Sequence, residues 1–105
     1  MTLQKTIIDS LEDKKAFDIK VLDVRGISPV TDYLIIASVD TYKQAQAATD
    51  EVIHKAGHPL HIDGYDNGEW IALDYTDCIV HVFNKSQREI YGLDQLWNKA
   101  AVVTV

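Results

Sequence analysis

The sequence predicts an α/β domain with a mixed β-sheet of about five strands and the element order α-β-β-α-β-β-β-α. Three observations support this class. Apolar residues recur at helical spacing in two separate stretches, short strand-like apolar runs lie between and after them, and two of those runs flank a turn-prone tetrapeptide. The length of 105 residues suits one domain, predicted to span residues 1–105.

The N-terminal part supplies one helix and two strands. Leucine and isoleucine recur on one helical face from about Thr2 to Lys14, which predicts an amphipathic helix. The run Asp18–Val24 is typical of a strand. The run Asp32–Ser38 is apolar at nearly every central position, as expected for an interior strand that is covered on both faces for part of its length.

A second helix and a short edge strand follow. Thr41 and Gln44 have the spacing of a capping box, which predicts a helix start. Apolar residues then mark one helical face as far as Gly57, a natural residue for the position after a helix C-terminus. Pro59 prevents continuation, so the weakly alternating run Leu60–Tyr65 is predicted to be a short edge strand.

The segment Trp70–Phe83 is predicted to form a β-hairpin around the turn-prone residues 74–77. A two-residue loop at Tyr75 and Thr76 would pair Leu73 with Cys78. Alternation along the strands would then produce an apolar core face and a second, mixed face. The mixed face would carry Trp70, Ala72, Asp74, Asp77, Ile79, His81 and Phe83.

One more helix is predicted near the C-terminus. Ser86 and Glu89 have capping-box spacing, and Gly92 would end this helix. The apolar tail Ala100–Val105 would be either frayed or tucked against the sheet. The first two helices are predicted to cover the same face of the sheet, which would leave the mixed face of the hairpin less protected.

Composition and charge narrow the possible functions. Ten basic and sixteen acidic residues leave a formal charge of −6, which disfavours an extended nucleic-acid surface because such surfaces depend on clusters of Lys and Arg. Cys78 is the only cysteine and lies in an apolar run, so a packing role is expected. The chain has no run of transmembrane length and no signal-like N-terminus, so a cytoplasmic location is expected.

Few residues support catalysis or metal binding. His54 and His58 are four apart, but Gly57 is predicted to end the helix between them, and no cysteine or HExxH pattern accompanies them. Asp74 and Asp77 are interpreted as turn residues because no glycine-rich phosphate loop accompanies them. We therefore expect no metal site, no cofactor and no enzymatic activity.

Trp70 suggests a docking role instead. A core tryptophan is an equally good explanation from residue type alone. Its predicted face, however, also carries His81 and two aspartates, and aromatic side chains beside polar groups are typical of protein interfaces. His81 lacks a paired acid, which favours a structural role over that of a catalytic base.

Four segments together resemble one known family. They are DIKVLDVR at 18–25, TDYLIIAS at 31–38, W-I-x-L-D-Y-x-D-x-I-V-H-V-F at 70–83 and R-E-x-Y-x-L-x-x-L-W at 88–97. Their order and spacing resemble the ribosomal silencing factor, or Iojap, family over nearly the whole chain. Val39 and Lys43 depart from the common pattern, as does Thr76, where many relatives have Gly. Since a β-branched residue resists positive φ, a wider hairpin turn is the alternative.

The resemblance implies a translation regulator without catalysis, on a nucleotidyltransferase-like fold that lacks the Gly-Ser and paired-carboxylate signature of those enzymes. It also implies binding to the large ribosomal subunit through its ribosomal protein fourteen. This binding would sterically block joining of the small subunit and lower translation when nutrients are scarce. Trp70, Asp74, His81 and Phe83 are the residues predicted to make the contact.

Other readings stay open. A metal-dependent nucleotidyltransferase-like enzyme would use Asp23, Asp32 or Asp74 with Mg²⁺. A direct RNA-binding module is the least favoured of the three functions because of the charge of −6. The face that carries Trp70 and Phe83 could also pair two copies of the chain as a homodimer.

Overall fold

The computed structural model describes residues 2–104, which form a mixed six-stranded sheet with helices on both faces. The elements in chain order are α1 (Thr2–Asp13), β1 (Phe17–Asp23), β2 (Tyr33–Val39), α2 (Tyr42–Ala56), β3 (His61–Asp63), β4 (Trp70–Asp74), β5 (Cys78–Asn84), α3 (Lys85–Tyr91), α4 (Leu93–Leu96) and β6 (Ala101–Val103). The mixed α/β class predicted from the sequence is confirmed.

The strands lie in the order β3-β4-β5-β2-β1-β6. β2 and β5 are parallel, and every other neighbouring pair is antiparallel. β2 is the interior strand that its apolar run predicts, since six of its seven residues are buried. β3 lies at one edge of the sheet, as the weak alternation after Pro59 predicts.

The main core lies between one face of the sheet and the pair α1 and α2. Thr41 caps α2 by accepting a hydrogen bond from the Gln44 amide at 3.0 Å, and Gly57 ends the helix with a φ of 90°. The prediction that both helices cover the same face is confirmed. The fully buried side chains here include Ile7, Leu11, Ala45, Ala48, Val52, Ile35, Ile71, Leu73, Val80 and Val82.

In the C-terminal part, the tail lies against the sheet, which is one of its two predicted positions, whereas the predicted start of the last helix is wrong. The sheet has six strands because residues 101–103 pair with β1 as the edge strand β6. The helix α3 begins at Lys85, two residues earlier than a cap at Ser86 would allow. Asn84 is the cap, and its side chain accepts from the Ser86 amide at 3.2 Å. Pairing of Asn84 with Val39 sets the end of β5, and this long-range contact leaves no local pattern.

The predicted hairpin register is also wrong, by two residues. Leu73 pairs with Val80 rather than Cys78, so a wider turn joins the paired positions Asp74 and Ile79. Thr76 adopts a positive φ of 72° in this turn. Because a shift of two residues preserves the alternation of side chains, the predicted assignment of residues to the two faces is unchanged.

Candidate docking surface

The second face of the sheet is covered only in part. A smaller buried cluster of Leu22, Val24, Leu34, Ile36 and Phe83 lies beneath Leu93, Trp97 and Ala100. Towards β3 and β4 the same face is more open. We call this region the docking surface and define it by the side chains of Trp70, Ala72, Asp74, His81 and Tyr91. The first four are half-buried and Tyr91 is exposed.

Three aromatic rings form the centre of this region. The Trp70 ring stacks on Phe83 with a centroid distance of 5.0 Å, and the ring centroid of Tyr91 lies 4.6 Å from that of Trp70. Phe83 is 0% exposed, whereas Tyr91 is 44% exposed. The prediction that Phe83 itself meets a partner therefore needs correction, because its ring is fully buried and supports Trp70 from within the fold.

A hydrogen bond from Trp70 fixes the tautomer of His81. The indole Nε1–H donates a hydrogen bond to Nδ1 of His81 at 2.9 Å. Burial lowers the pKa of His81 from 6.5 to about 4, so the imidazole is neutral near pH 7. Since an indole nitrogen can only donate, Nδ1 must accept, and the single imidazole proton resides on Nε2.

The loop 64–69 fixes the backbone of Trp70. Gly64 has a φ of 79°, and a Cβ at this position would lie 2.1 Å from the Trp70 carbonyl oxygen, so only glycine fits. The loop is tied to α2 at two points. Gln46 Nε2 donates to the Tyr65 carbonyl at 2.9 Å, and the Tyr65 hydroxyl donates to Asp50 at 2.9 Å. These contacts hold the loop that leads into Trp70 before any partner arrives.

Asp74 gives the docking surface an acidic edge. One carboxylate oxygen accepts a hydrogen bond from the Thr76 amide at 2.8 Å, which is the turn role predicted for this residue. No lysine or arginine among residues 2–104 forms an ion pair with it. The second oxygen is therefore available to a cation from outside the chain.

Asp23 and Asp74, two of the three carboxylates of the alternative enzyme hypothesis, lie far apart. β1 and β4 are separated by β2 and β5, so Asp23 and Asp74 are three strand spacings apart, about 14 Å. Their side chains also lie on opposite faces of the sheet. Asp23 is in register with Cys78 through Tyr33, whereas Asp74 pairs with Ile79. Since Cys78 and Ile79 are consecutive in β5, they point to opposite faces. A two-metal site needs carboxylates around ions about 4 Å apart. Across residues 2–104, no group of three or more His, Cys, Asp or Glu side chains is placed to hold a metal.

Sequence reasoning missed Tyr91 as a member of the docking surface. It was expected only near the end of a short helix. The motif R-E-x-Y at 88–91 contained the signal, but the position of α3 over the sheet depends on tertiary contacts.

No helix in the described part of the chain has the length and apolarity needed to cross a membrane.

The mixed sheet, with helices on both faces and one partly open aromatic face, defines an α/β domain. The chain belongs to the RsfS family, described as ribosomal silencing factor during starvation, whose model matches residues 1–105. The family resemblance seen in the four sequence segments is thereby confirmed.

Similar proteins span most of the chain. The ribosomal silencing factor RsfS of Bacillus subtilis is 37% identical over 105 residues, covering 92% of this chain and 89% of that protein. A crystal structure of a Chromobacterium violaceum protein superimposes with a TM-score of 0.86 at 29% identity, covering 99% of this chain and 92% of the other. A Bacillus halodurans structure gives 0.84 at 31% identity, covering 99% and 98%.

Proposed function

We propose that this chain is a translational repressor that binds the large ribosomal subunit through ribosomal protein fourteen and prevents the small subunit from joining. The observation that carries the proposal is the partly open aromatic surface of Trp70 and Tyr91 on a member of a ribosomal silencing family. Aromatic anchors with polar neighbours are the residues that dominate binding energy in protein interfaces.

Steric inhibition needs affinity and volume but no reactive group. The domain measures 34 × 29 × 23 Å, which is large enough to hold two surfaces apart wherever it binds between them. The separation of Asp23 from Asp74 fits a function that requires no metal chemistry. We therefore propose that the chain acts by occupancy and not by catalysis.

Charge supports a basic protein as the partner. The formal charge of −6 attracts a basic ribosomal protein and opposes contact with bare RNA. The free carboxylate oxygen of Asp74 lies at the edge of the docking surface, where it can pair with a lysine or arginine. In this arrangement Trp70 and Tyr91 supply apolar area, while Asp74 supplies charge complementarity.

The direct test is a pull-down of Trp70→Ala with isolated ribosomal protein fourteen. Loss of a central aromatic anchor is expected to cost about 2 kcal/mol or more, roughly a thirtyfold loss of affinity. The matched control is Tyr42→Ala, which truncates an exposed aromatic side chain on α2, the helix that covers the opposite face of the sheet. Undiminished binding by folded Trp70→Ala would contradict the assignment of the surface.

Sedimentation tests the inhibitory step. Purified large subunits are mixed with small subunits in the presence of the wild-type chain or of Trp70→Ala. We expect the wild type to sediment with large subunits and to reduce the fraction of joined ribosomes, and the variant to do neither. Co-sedimentation without any effect on joining would contradict the steric mechanism.

The nucleotidyltransferase-like alternative predicts a different ligand. A domain that binds Mg-ATP only when folded is stabilised by it, so its melting temperature rises. We expect no such rise, because Asp23 and Asp74 lie on opposite faces. A clear rise that depends on Mg²⁺ would favour the enzyme.

Self-association through the docking surface is a further arrangement that we propose to test. A second copy could cover Trp70 and Tyr91 in the absence of the ribosome. Sedimentation equilibrium over a range of concentrations should then show a dimer that weakens in Trp70→Ala. A monomer mass at every concentration would exclude this homodimer.

A further inference from the structure

We infer that His81 serves as an oriented hydrogen-bond donor for the docking partner, with its donor atom set by the hydrogen bond from Trp70. The partner would place a carbonyl oxygen against Nε2 of His81. This inference rests on the proposed function and adds the chemistry that the partner must present. In it Trp70 has two roles, as an apolar anchor and as the positioning residue for His81.

The orientation of the donor follows from the side chains themselves. Trp70 Nε1 carries a hydrogen and has no lone pair to accept one. Its distance of 2.9 Å from His81 Nδ1 therefore assigns the Nδ1 lone pair to Trp70. A neutral imidazole has one proton, which must then be on Nε2.

The donor atom is accessible to a partner. No residue among 2–104 accepts a hydrogen bond from Nε2, and His81 is only half-buried. In the described chain, Thr49 Oγ1 is the one buried side-chain nitrogen or oxygen without a partner, so Nε2 reaches the surface. Ala72 is the cross-strand neighbour of His81, and its small side chain leaves the approach from β4 open.

Two carboxylates share this face, but burial is the one cause that shifts the pKa of His81. Asp63 pairs with Ala72, which pairs with His81, so Asp63 lies two strand spacings away, about 9–10 Å. Asp74 is diagonal to His81 across the β4–β5 pair. Burial is the dominant influence on the imidazole and lowers its pKa to about 4.

Docking would make this donor selective. Contact with a partner removes water from Nε2–H, and a buried donor without an acceptor is costly. A partner that presents a lysine ammonium or an aliphatic group at this point is penalised, whereas a carbonyl oxygen restores the hydrogen bond. The net charge of −6 repels carboxylates, which favours a neutral carbonyl as the acceptor.

Two measurements test the inference. The first is a long-range ¹H–¹⁵N correlation spectrum of the free wild-type chain, in which His81 is expected to show the Nε2–H tautomer. Trp70→Phe keeps an aromatic ring but removes the donor, so a mixture of tautomers is expected. The second is binding to isolated ribosomal protein fourteen by His81→Phe and His81→Gln, with folding checked by thermal melting.

His81→Phe is expected to bind roughly tenfold more weakly, since a hydrogen bond is lost and the partner's acceptor is left unpaired. His81→Gln carries an N–H donor at a similar reach and should recover most of the affinity. A wild-type spectrum with the proton on Nδ1, or equal binding by folded His81→Phe, would overturn the inference. Failure of the wild type to bind protein fourteen would refute the proposed function and with it the docking role, while the spectrum would still decide the tautomer.

Discussion

Arg88 and Asp94 form a two-pronged ion pair, in which Nε and Nη2 of the guanidinium each lie 3.1 Å from a different carboxylate oxygen. Nη1 of Arg88 also donates to the Asp18 carbonyl at 2.6 Å and to Ser38 Oγ at 2.8 Å. The guanidinium thus joins α3 and α4 to β1 and β2. This connection holds α3 against the sheet and so places Tyr91 on the docking surface.

Replacing Arg88 by Met should destabilise the fold substantially. The Arg88 side chain is only 12% exposed. Its loss leaves Asp94 with Lys20 as its remaining cationic partner and removes the guanidinium donor from the Asp18 carbonyl and Ser38 Oγ. We expect the free energy of unfolding to fall by roughly 2–4 kcal/mol, measured by urea denaturation. The matched control is Arg25→Met, which removes an exposed pair with Asp23 and should cost much less. Equal losses of unfolding free energy in the two variants would show that the Arg88 contacts stabilise the fold no more than the exposed Arg25 pair does.

A methyl group on Gly64 should displace Trp70. Gly64 and Gly26 have nearly equal φ angles of 79° and 80°, so alanine suffers similar backbone strain at both. At Gly64 the new Cβ would also meet the Trp70 carbonyl oxygen, whereas at Gly26 nothing lies within 4 Å. We expect Gly64→Ala to be less stable than Gly26→Ala by about 1–3 kcal/mol and to bind protein fourteen more weakly. Similar stability of the two variants would contradict the close approach.

Glycine at Thr76 should stabilise the hairpin turn. Thr76 has a φ of 72°, a conformation that is unfavourable for a β-branched residue. Relief of this strain exceeds the entropy cost of glycine, so a gain of about 0.5–1 kcal/mol is expected in thermal or chemical unfolding. Asp77→Gly in the same turn is the control and should give no gain, because Asp77 is not among the residues with positive φ.

The stability of the fold should depend on pH through His81. The folded pKa is about 4 and the ordinary value is 6.5, so between these values the unfolded chain binds a proton that the folded chain excludes. Stability is therefore complete above pH 6.5 and falls as the pH drops towards 4, by an amount on the order of 3 kcal/mol.

Denaturant titrations at several pH values, compared with His81→Gln, measure this contribution. The variant should lose the slope within that window. Arg25 and Arg88 donate to the carboxylates of Asp23 and Asp94 respectively, which holds their pKa values below 3.8. Protonation of these two groups therefore reduces stability only at a pH below the window of His81. An unchanged slope in His81→Gln would assign the pH dependence to other groups.

Truncation of Tyr91 should weaken docking without unfolding the chain. Its ring is 44% exposed and contributes apolar area beside Trp70. Tyr91→Ala is expected to reduce affinity for ribosomal protein fourteen by about 1 kcal/mol or more, roughly fivefold. The control Leu96→Ala removes a more exposed apolar side chain from α4 and should bind normally. Equal binding by both variants would exclude Tyr91 from the contact.

Local patterns were sufficient to predict the mixed sheet, the positions of α1 and α2 and the two faces of the hairpin. Each of these features depends on neighbours close in sequence. Helical spacing marks α1, the side chains of Thr41 and Gln44 mark the start of α2, and alternation marks the hairpin faces. The predicted hairpin register was wrong by two residues, but the assignment of side chains to the two faces was still correct, because a shift of two residues moves no side chain to the other face.

Tertiary contacts determined which side chains on those faces are buried and how they are protonated. Phe83 and Trp70 share one face of the hairpin, yet α3 packs beside them so that Phe83 is fully buried and Trp70 is not. The cap at Asn84 and the strand β6 depend on pairing with β2 and β1, which are distant in sequence. The state of His81 likewise depends on the cross-strand indole of Trp70. Side-chain order along one strand is a local property, whereas burial and protonation depend on groups brought together only by the folded chain.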